Sequence, residues 1–229
     1  MLITEIRQVN SRKFSFKIVE GENFFLTSTE LSDYRLKKPV FDMLDGEKVK
    51  SELEVNLPDS VYKTICTETI IPRGERYALS LLSDREYSEF SLKKKLLETG
   101  YSENHAEQIL DYVKSFNYLD DERYACTFIR NRLNSKSRRY LEQKLLEKGV
   151  SKETIQNAFL QISEENDEGI EAVGEREKSI ITKTLNKKLK GVSRDDRDKL
   201  TKITSSLLRQ GFKYSDINEA INEFYSNLM

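Results

Sequence analysis

The stretch from Tyr140 to Ile162, YLEQKLLEKGVSKETIQNAFLQI, decides the fold because two other stretches of the chain repeat its apolar pattern. Counted from Gly149, apolar residues stand at offsets −8, −4, −3, +1, +6, +9, +10 and +13. Counting from Gly100 and from Gly211 gives apolar residues at the same eight offsets. All 24 positions are apolar although only 37% of the chain is hydrophobic, so the sequence contains an internal repeat.

The spacing predicts what each repeat contains. The offsets on either side of the glycine follow the 3.6-residue period of a one-sided amphipathic helix, and the glycine suits a helix C-terminus of positive φ. A further helix precedes each pair, because the tetrapeptide ERYA occurs at residues 75–78 and again at 122–125, with a looser third copy near Ile181. We therefore predict a mainly α protein with three tandem three-helix repeats in an elongated array.

Polar residues mark the predicted helix starts. Ser102, Ser151, and Ser215 or Asp216 are placed to cap the second helix of the glycine-centred pairs, and Asp120 or Asp121 to cap the first helix of repeat two. The Asp120-Asp121 pair is interpreted as a cap rather than a metal site, because no further carboxylates stand at ligand spacing. His105 is the only histidine, which excludes a His-pair metal site, and a capped-helix surface position accounts for it.

Residues 1–72 have a different pattern, which predicts a small β-rich module. Short β-prone runs at 3–9, 14–19 and 24–27 predict an antiparallel sheet, with turn residues at 20–23. Residues 28–45 show a short helical pattern, with Ser28 or Thr29 as the N-cap and a break at Pro39.

Punctuation and charge divide the chain further. Pro72-Arg73-Gly74 marks the predicted boundary before the first repeat. We assign 1–72 to the N-terminal module, 73–119 to repeat one, 120–163 to repeat two and 164–229 to an acidic segment with repeat three. The acidic residues 164–177 suit either a spacer or the first turns of the next helix.

Composition restricts the functional class. Charged residues make up 34% of the chain and the mean hydropathy is −0.64, so we expect no membrane span, and the first residues lack the pattern of a signal peptide. Cys66 and Cys126 fit no metal or redox spacing and are expected to be buried thiols in the reducing cytoplasm. No phosphate-binding glycine loop, HExxH motif or nucleophile elbow occurs, so we predict no enzyme, no cofactor and no metal.

Four segments carry a family resemblance. FNYLDDERYACTFIRNRL at 116–133, followed by LEQKLLEKGVSKETIQNAF at 141–159, resembles the RecX family of regulators of the RecA recombinase. Further similarity lies in LSDREYSEFSLKKKLLETGY at 82–101 and LLRQGFKYSDINEAI at 207–221. The resemblance runs from about Tyr77 to the end of the chain. It implies a non-enzymatic regulator that binds the RecA filament near its DNA and modulates its assembly and activity, with inhibition favoured over stimulation.

Basic residues are the candidate contact groups. Between Arg130 and Lys148 there are seven cations against two acids, which predicts a surface attractive to a polyanion. Arg85, Arg132 and Lys188 occupy matching positions in the three repeats and would form a row of cations. The candidate binding residues are Arg85, Lys93, Lys94, Lys95, Arg130, Arg132, Lys136, Arg138, Arg139, Lys144 and Lys188.

Other interpretations of these cations stay open. A single lysine on this surface is explained as well by solvation and by the helix dipole, whereas the cluster from Arg130 to Arg139 favours function. The repeats could instead bind nucleic acid directly, as helix-turn-helix units do, or the protein could be a structural adaptor. The expected partners are the RecA filament and possibly single- or double-stranded DNA, and the expected state is a monomer without membrane contact.

Overall fold

A computed structural model describes residues 2–18, 23–34, 36, 42–44, 47–49, 55–165 and 172–227. The chain forms two compact units, Met1–Asp120 and Asp121–Met229. The first unit holds an antiparallel sheet and repeat one, and the second holds repeats two and three. The mainly helical class, with three-helix repeats behind a small sheet, is confirmed. The division at residues 72, 119 and 163 and the elongated arrangement of the repeats stay predictions.

The described part of the N-terminal module contains six strands: β1 Leu2–Asn10, β2 Lys13–Ile18, β3 Asn23–Thr27, β4 Asp42–Leu44, β5 Glu47–Val49 and β6 Val55–Asn56. Their order is β3-β2-β1-β5-β4, and β6 also pairs with β1. In β2, Phe14, Phe16 and Ile18 are buried while Lys17 is exposed, which is the alternation of a half-buried strand. The three predicted β runs are confirmed. Residues 20–22 of the predicted turn lie outside the described residues.

The first helix, α1, covers Ser28–Asp33 and is capped by Thr27. The Thr27 hydroxyl accepts a hydrogen bond from the Glu30 N–H (3.3 Å), and the Glu30 carboxylate accepts one from the Thr27 N–H (2.7 Å). Ser28 and Thr29 are therefore the wrong caps, because this capping box satisfies both N–H groups one residue earlier.

The helical pattern predicted over residues 28–45 is too long. Helix α1 ends at Asp33, and residues 42–44 form strand β4. The predicted break at Pro39 lies outside the described residues.

One helical run connects the sheet to repeat one: α2 Asp59–Ile65, a π-helical segment Cys66–Ile70, and α3 Ile71–Asp84. The loop predicted at Pro72-Arg73-Gly74 is therefore wrong, because all three residues lie in α3. Proline is tolerated in the first turn of a helix, where its missing N–H has little to lose. Gly74 allows close helix packing rather than a turn, since a Cβ there would lie 2.2 Å from the Cδ1 atom of Ile109.

Arg73 links the sheet to repeat one. Its guanidinium donates to both carboxylate oxygens of Glu30 (2.6 and 2.7 Å) and to the Phe25 carbonyl (2.9 Å), and it lies 4.0 Å from the Phe25 ring centroid. Lys13 lies 3.6 Å from the same centroid, and burial, together with Arg73, lowers the Lys13 pKa. The sheet and repeat one accordingly share one hydrophobic core.

Each repeat contains three helices, as predicted. Helix α3 is followed by α4 Glu89–Thr99, α5 Glu103–Ser115, α6 Asp121–Arg130, α7 Arg138–Glu147, α8 Lys152–Glu165, α9 Ala172–Lys188, α10 Arg197–Leu208 and α11 Tyr214–Ser226. The glycine prediction is confirmed, because φ is +104° at Gly100, +77° at Gly149 and +89° at Gly211. The residue after each glycine is buried.

The repeated apolar pattern mostly marks the core. At seven of the eight offsets the side chains are buried or half-buried in all three repeats. At offset −3, however, Leu97 is half-buried, while Leu146 and Leu208 are each 43% exposed. Because this offset lies at the edge of the apolar face, one packed layer does not cover it completely.

Gly149→Val is expected to destabilise the protein by about 1 kcal/mol or more, because a β-branched residue is strained at positive φ. Urea unfolding followed by circular dichroism measures this change. A free energy of unfolding equal to that of the wild type would contradict the assignment of Gly149 as a left-handed helix stop.

The predicted caps are only partly confirmed. Ser102 Oγ accepts from the His105 N–H (3.2 Å), and Ser151 Oγ accepts from the Thr154 N–H (3.0 Å). In repeat three the prediction is wrong, because α11 already begins at Tyr214 and its capping residue makes no side-chain cap.

His105 is buried, with 2% of its surface exposed, so the predicted surface position is wrong. Its Nδ1 atom lies 2.9 Å from Ser102 Oγ, and its Nε2 atom lies 3.3 Å from Cys66 Sγ. Imidazole is tolerated in this core because both ring nitrogens have polar partners. Cys66 and Cys126 are both free and buried, as predicted.

Candidate polyanion-binding surface

The chain turns sharply between α6 and α7, and we call residues 130–139 the basic corner. Ser137 caps α7 by accepting from the Tyr140 N–H (3.2 Å), and its own N–H donates to the Gln210 carbonyl (3.0 Å). The Glu177 carboxylate accepts from the Arg138 N–H (2.7 Å). Repeat three thus holds the start of α7 in place through a turn and a carboxylate.

Ion pairs compensate several of the predicted cations. Arg130 donates to Glu165 with its closest contact at 2.6 Å, Arg138 to Glu142 at 2.7 Å and Lys144 to Glu147 at 2.6 Å. Hydrogen bonding to these partners raises the pKa of Arg130 and Lys144 and lowers that of Glu165 and Glu147. The acids counted between residues 130 and 148 miss Glu165, which α8 brings back to the corner.

The lysines of α4 are compensated in the same way. Lys93 pairs with Glu103 (2.7 Å) and Glu107 (3.1 Å), and its pKa is raised by hydrogen bonding to these two carboxylates. Lys95 pairs with Glu98 at 2.7 Å. Lys94 between them is exposed and forms no ion pair with any residue that the structure describes.

Three cations of the basic corner have no carboxylate partner among the described residues: Arg132, Lys136 and Arg139. Arg132 lies over the Phe128 ring, 4.1 Å from its centroid, and the Lys136 ammonium lies 5.1 Å from the centroid of Tyr140. Arg139 is exposed. An aromatic ring leaves the charge available to a ligand, whereas a carboxylate compensates it.

The matching cations of the other repeats are also exposed. Arg85 lies 4.7 Å from the Tyr87 ring centroid and donates to the Tyr87 hydroxyl (2.7 Å). Lys188 donates to Ser206 Oγ (3.3 Å). Both residues lack an ion pair within the described ranges. The predicted row of cations along one edge stays a prediction.

A cleft of about 790 Å³ lies beside α9, opposite Asn134 of the basic corner. It is lined by Asn134, Glu175, Arg176, Ser179, Ile180, Lys183, Thr184, Lys187 and Lys188. Sequence reasoning identified Lys188 but missed Arg176, Lys183 and Lys187, which the spacing i, i+7, i+11 places on one helix face. Four cations and one acid therefore line this cleft, and we call it the α9 cleft.

These groups can bind anionic oxygens through charge-assisted hydrogen bonds. In the part of the chain that the structure describes, no three His, Cys, Asp or Glu side chains are grouped so as to hold a metal ion. None of the helices described is both long and apolar enough to cross a membrane.

Comparison with known proteins identifies the family. Residues 76–112 match the family description "RecX, first three-helix domain", and residues 120–158 match "RecX, second three-helix domain". Over 168 residues the chain is 30% identical to a regulatory protein RecX of Clostridium perfringens, covering 72% of this chain and 74% of that protein. The chain belongs to the RecX family. Its role is accordingly regulatory.

The similarity to RecX extends over nearly the whole chain. A regulatory protein RecX of Clostridium botulinum is 28% identical over 225 residues, which cover 96% of this chain and 95% of the relative. A crystal structure of a regulatory protein RecX aligns with a TM-score of 0.54 at 20% identity, covering 97% of this chain and 100% of that one. The second similarity supports the fold, including the N-terminal sheet that neither domain match covers.

Proposed function

We propose that this RecX-family protein binds the RecA recombinase filament and inhibits its assembly and activity in recombination and DNA repair. It acts in the cytoplasm as a monomer, without catalysing a reaction. Family membership supports the partner. The observation that carries the proposed contact surface is the set of corner cations without ion pairs, Arg132, Lys136 and Arg139.

The physical reason lies in the charge of the partner. A recombinase filament contains a nucleic-acid strand, and phosphate charge attracts exposed cations over a distance set by the salt concentration. Compensated cations such as Arg130 contribute less, because a carboxylate already occupies their donors. The corner is also held rigidly by Ser137 and Glu177, so little side-chain and loop entropy is lost on binding.

The test is ATP hydrolysis by the recombinase on single-stranded DNA, measured with and without the protein. We expect the steady-state rate to fall as the protein is added, because fewer recombinase subunits stay assembled on the strand. An unchanged rate over a wide range of protein concentrations would contradict the proposal.

The second candidate function is direct nucleic-acid binding, which the four cations of the α9 cleft favour. Fluorescence anisotropy of a labelled oligothymidylate, without recombinase, separates the two functions. Salt-sensitive binding at submicromolar protein, combined with no effect on the recombinase at equal strand occupancy, would support the second function.

A further inference from the structure

Helix α5 ends in a hydrogen-bonded motif that presents aromatic residues. Phe116 is the C-cap, and Asn117 adopts φ +56°, the only positive φ of a non-glycine residue in the described chain. The Asn117 N–H donates to the Lys114 carbonyl (2.8 Å), and the Tyr118 N–H donates to the Val113 carbonyl (3.0 Å). These are the two bonds of a Schellman motif, so the backbone around Phe116 and Tyr118 is fixed.

The same motif ends α4, α7 and α10, where the last residue is buried. Tyr101, Val150 and Phe212 take that place after the glycines, and they are 5%, 2% and 2% exposed. In α5 the equivalent residue, Tyr118, is 53% exposed. The motif that elsewhere directs an apolar side chain into the core here holds one at the surface.

Three aromatic side chains form a continuous surface at this point. Phe116 is 55% exposed, and its ring centroid lies 5.1 Å from that of Tyr112 in an edge-to-face arrangement. The Phe116 and Tyr118 centroids lie 6.0 Å apart with the rings inclined by 26°. We call these three residues the aromatic patch. Ring contacts of this kind hold the side chains in position before any partner arrives.

The charge around the aromatic patch is negative. Asp111 and Asp120 are exposed and bound the patch in sequence. The nearest cation in sequence, Lys114, is paired with Glu89 at 2.5 Å. Exposed ring faces beside carboxylates attract lysine and arginine, because ring quadrupole and carboxylate both favour a cation. A phosphate backbone would be repelled by the same carboxylates.

We propose that the aromatic patch is a docking surface for a basic segment of a protein partner. A lysine or arginine of that segment lies over the Phe116 or Tyr118 ring, its charge is balanced by Asp111 or Asp120, and a neighbouring apolar side chain packs on Tyr112. This surface is separate from the basic corner and does not depend on the function proposed above.

The probe is a fluorescein-labelled 12-residue peptide of alternating lysine and leucine, and its binding is followed by anisotropy. We expect binding to the wild type and a loss of about tenfold in F116A/Y118A, as for removal of two cation–π contacts. F116L/Y118L keeps apolar surface without rings and should fall between the two. Y214A, which removes an aromatic side chain that is 62% exposed elsewhere, should stay within about twofold of the wild type.

Several results would overturn the proposal. They are no peptide binding to the wild type, equal binding by F116A/Y118A, and equal binding of a peptide with glutamate in place of lysine. Competition of an oligothymidylate for the patch would identify nucleic acid as the occupant instead, and self-association lost in F116A/Y118A on sedimentation would identify a second copy. Circular dichroism of F116A/Y118A checks that it is folded, and F116L/Y118L repeats the test if it is not.

Discussion

Replacing Arg132, Lys136 and Arg139 together by alanine is expected to weaken association with the RecA filament by about tenfold or more at low salt. These three cations have no ion pair among the described residues, so their charge is available to the partner. Their loss should also flatten the dependence of affinity on salt, because fewer counterions are released on binding. Thermal stability should change little, since exposed charges contribute little to folding.

The matched control removes three compensated cations, Lys93, Lys95 and Lys144, each of which pairs with a carboxylate. Both triple variants change the net charge equally, but the control takes away charge that a neighbour already balances. We expect the control to bind the filament within about twofold of the wild type. Equal loss in the two variants would mean that only overall charge matters, and the assignment of the basic corner would then be wrong.

Ion pairing narrows the site that the sequence favours. The sequence cluster includes Arg130 and Arg138, yet Arg130 is paired with Glu165 and Arg138 with Glu142. Arg138 also lies 4.5 Å from the Phe159 ring centroid, so alanine there would disturb packing as well as charge. A variant that leaves these two arginines in place therefore measures binding more cleanly.

Gly211→Ala is expected to destabilise the second unit by about 2–4 kcal/mol, through two effects that add. The glycine has φ +89°, a conformation that strains any L side chain. A Cβ there would lie 2.3 Å from Ser137 Oγ, 2.7 Å from Tyr140 Cβ and 3.1 Å from the Tyr140 backbone nitrogen. The backbone cannot retreat easily, because the neighbouring Gln210 carbonyl accepts from the Ser137 N–H.

The matched control is Gly191→Ala, because Gly191 has φ +76° but no atom within 4 Å of the position that a Cβ would take. It tests backbone strain without the close approach, and we expect a loss of about 1 kcal/mol. Urea unfolding followed by circular dichroism gives both free energies. Equal losses in the two variants would show that repeat three does not press on the start of α7 as the structure indicates.

Local pattern determined the helices and their ends. An amphipathic period and a glycine act within a few residues, so the helix pairs around Gly100, Gly149 and Gly211 are predicted from sequence alone. The same holds for Ser102 and Ser151 as caps. The prediction failed at Pro72 and Gly74, because residues that punctuate a chain locally can also lie in a helix where packing or a first-turn position suits them.

The candidate site required the tertiary structure. Its charge depends on which carboxylates return to the basic corner, and Glu165 and Glu177 come from helices 35 and 39 residues along the chain. His105 is buried for a similar reason, since Cys66 approaches it from another helix. Sequence alone determined the repeat, its helices and its excess of cations, because these follow from neighbours in the chain. Tertiary structure decided which cations stay uncompensated, because an ion pair depends on distance in space.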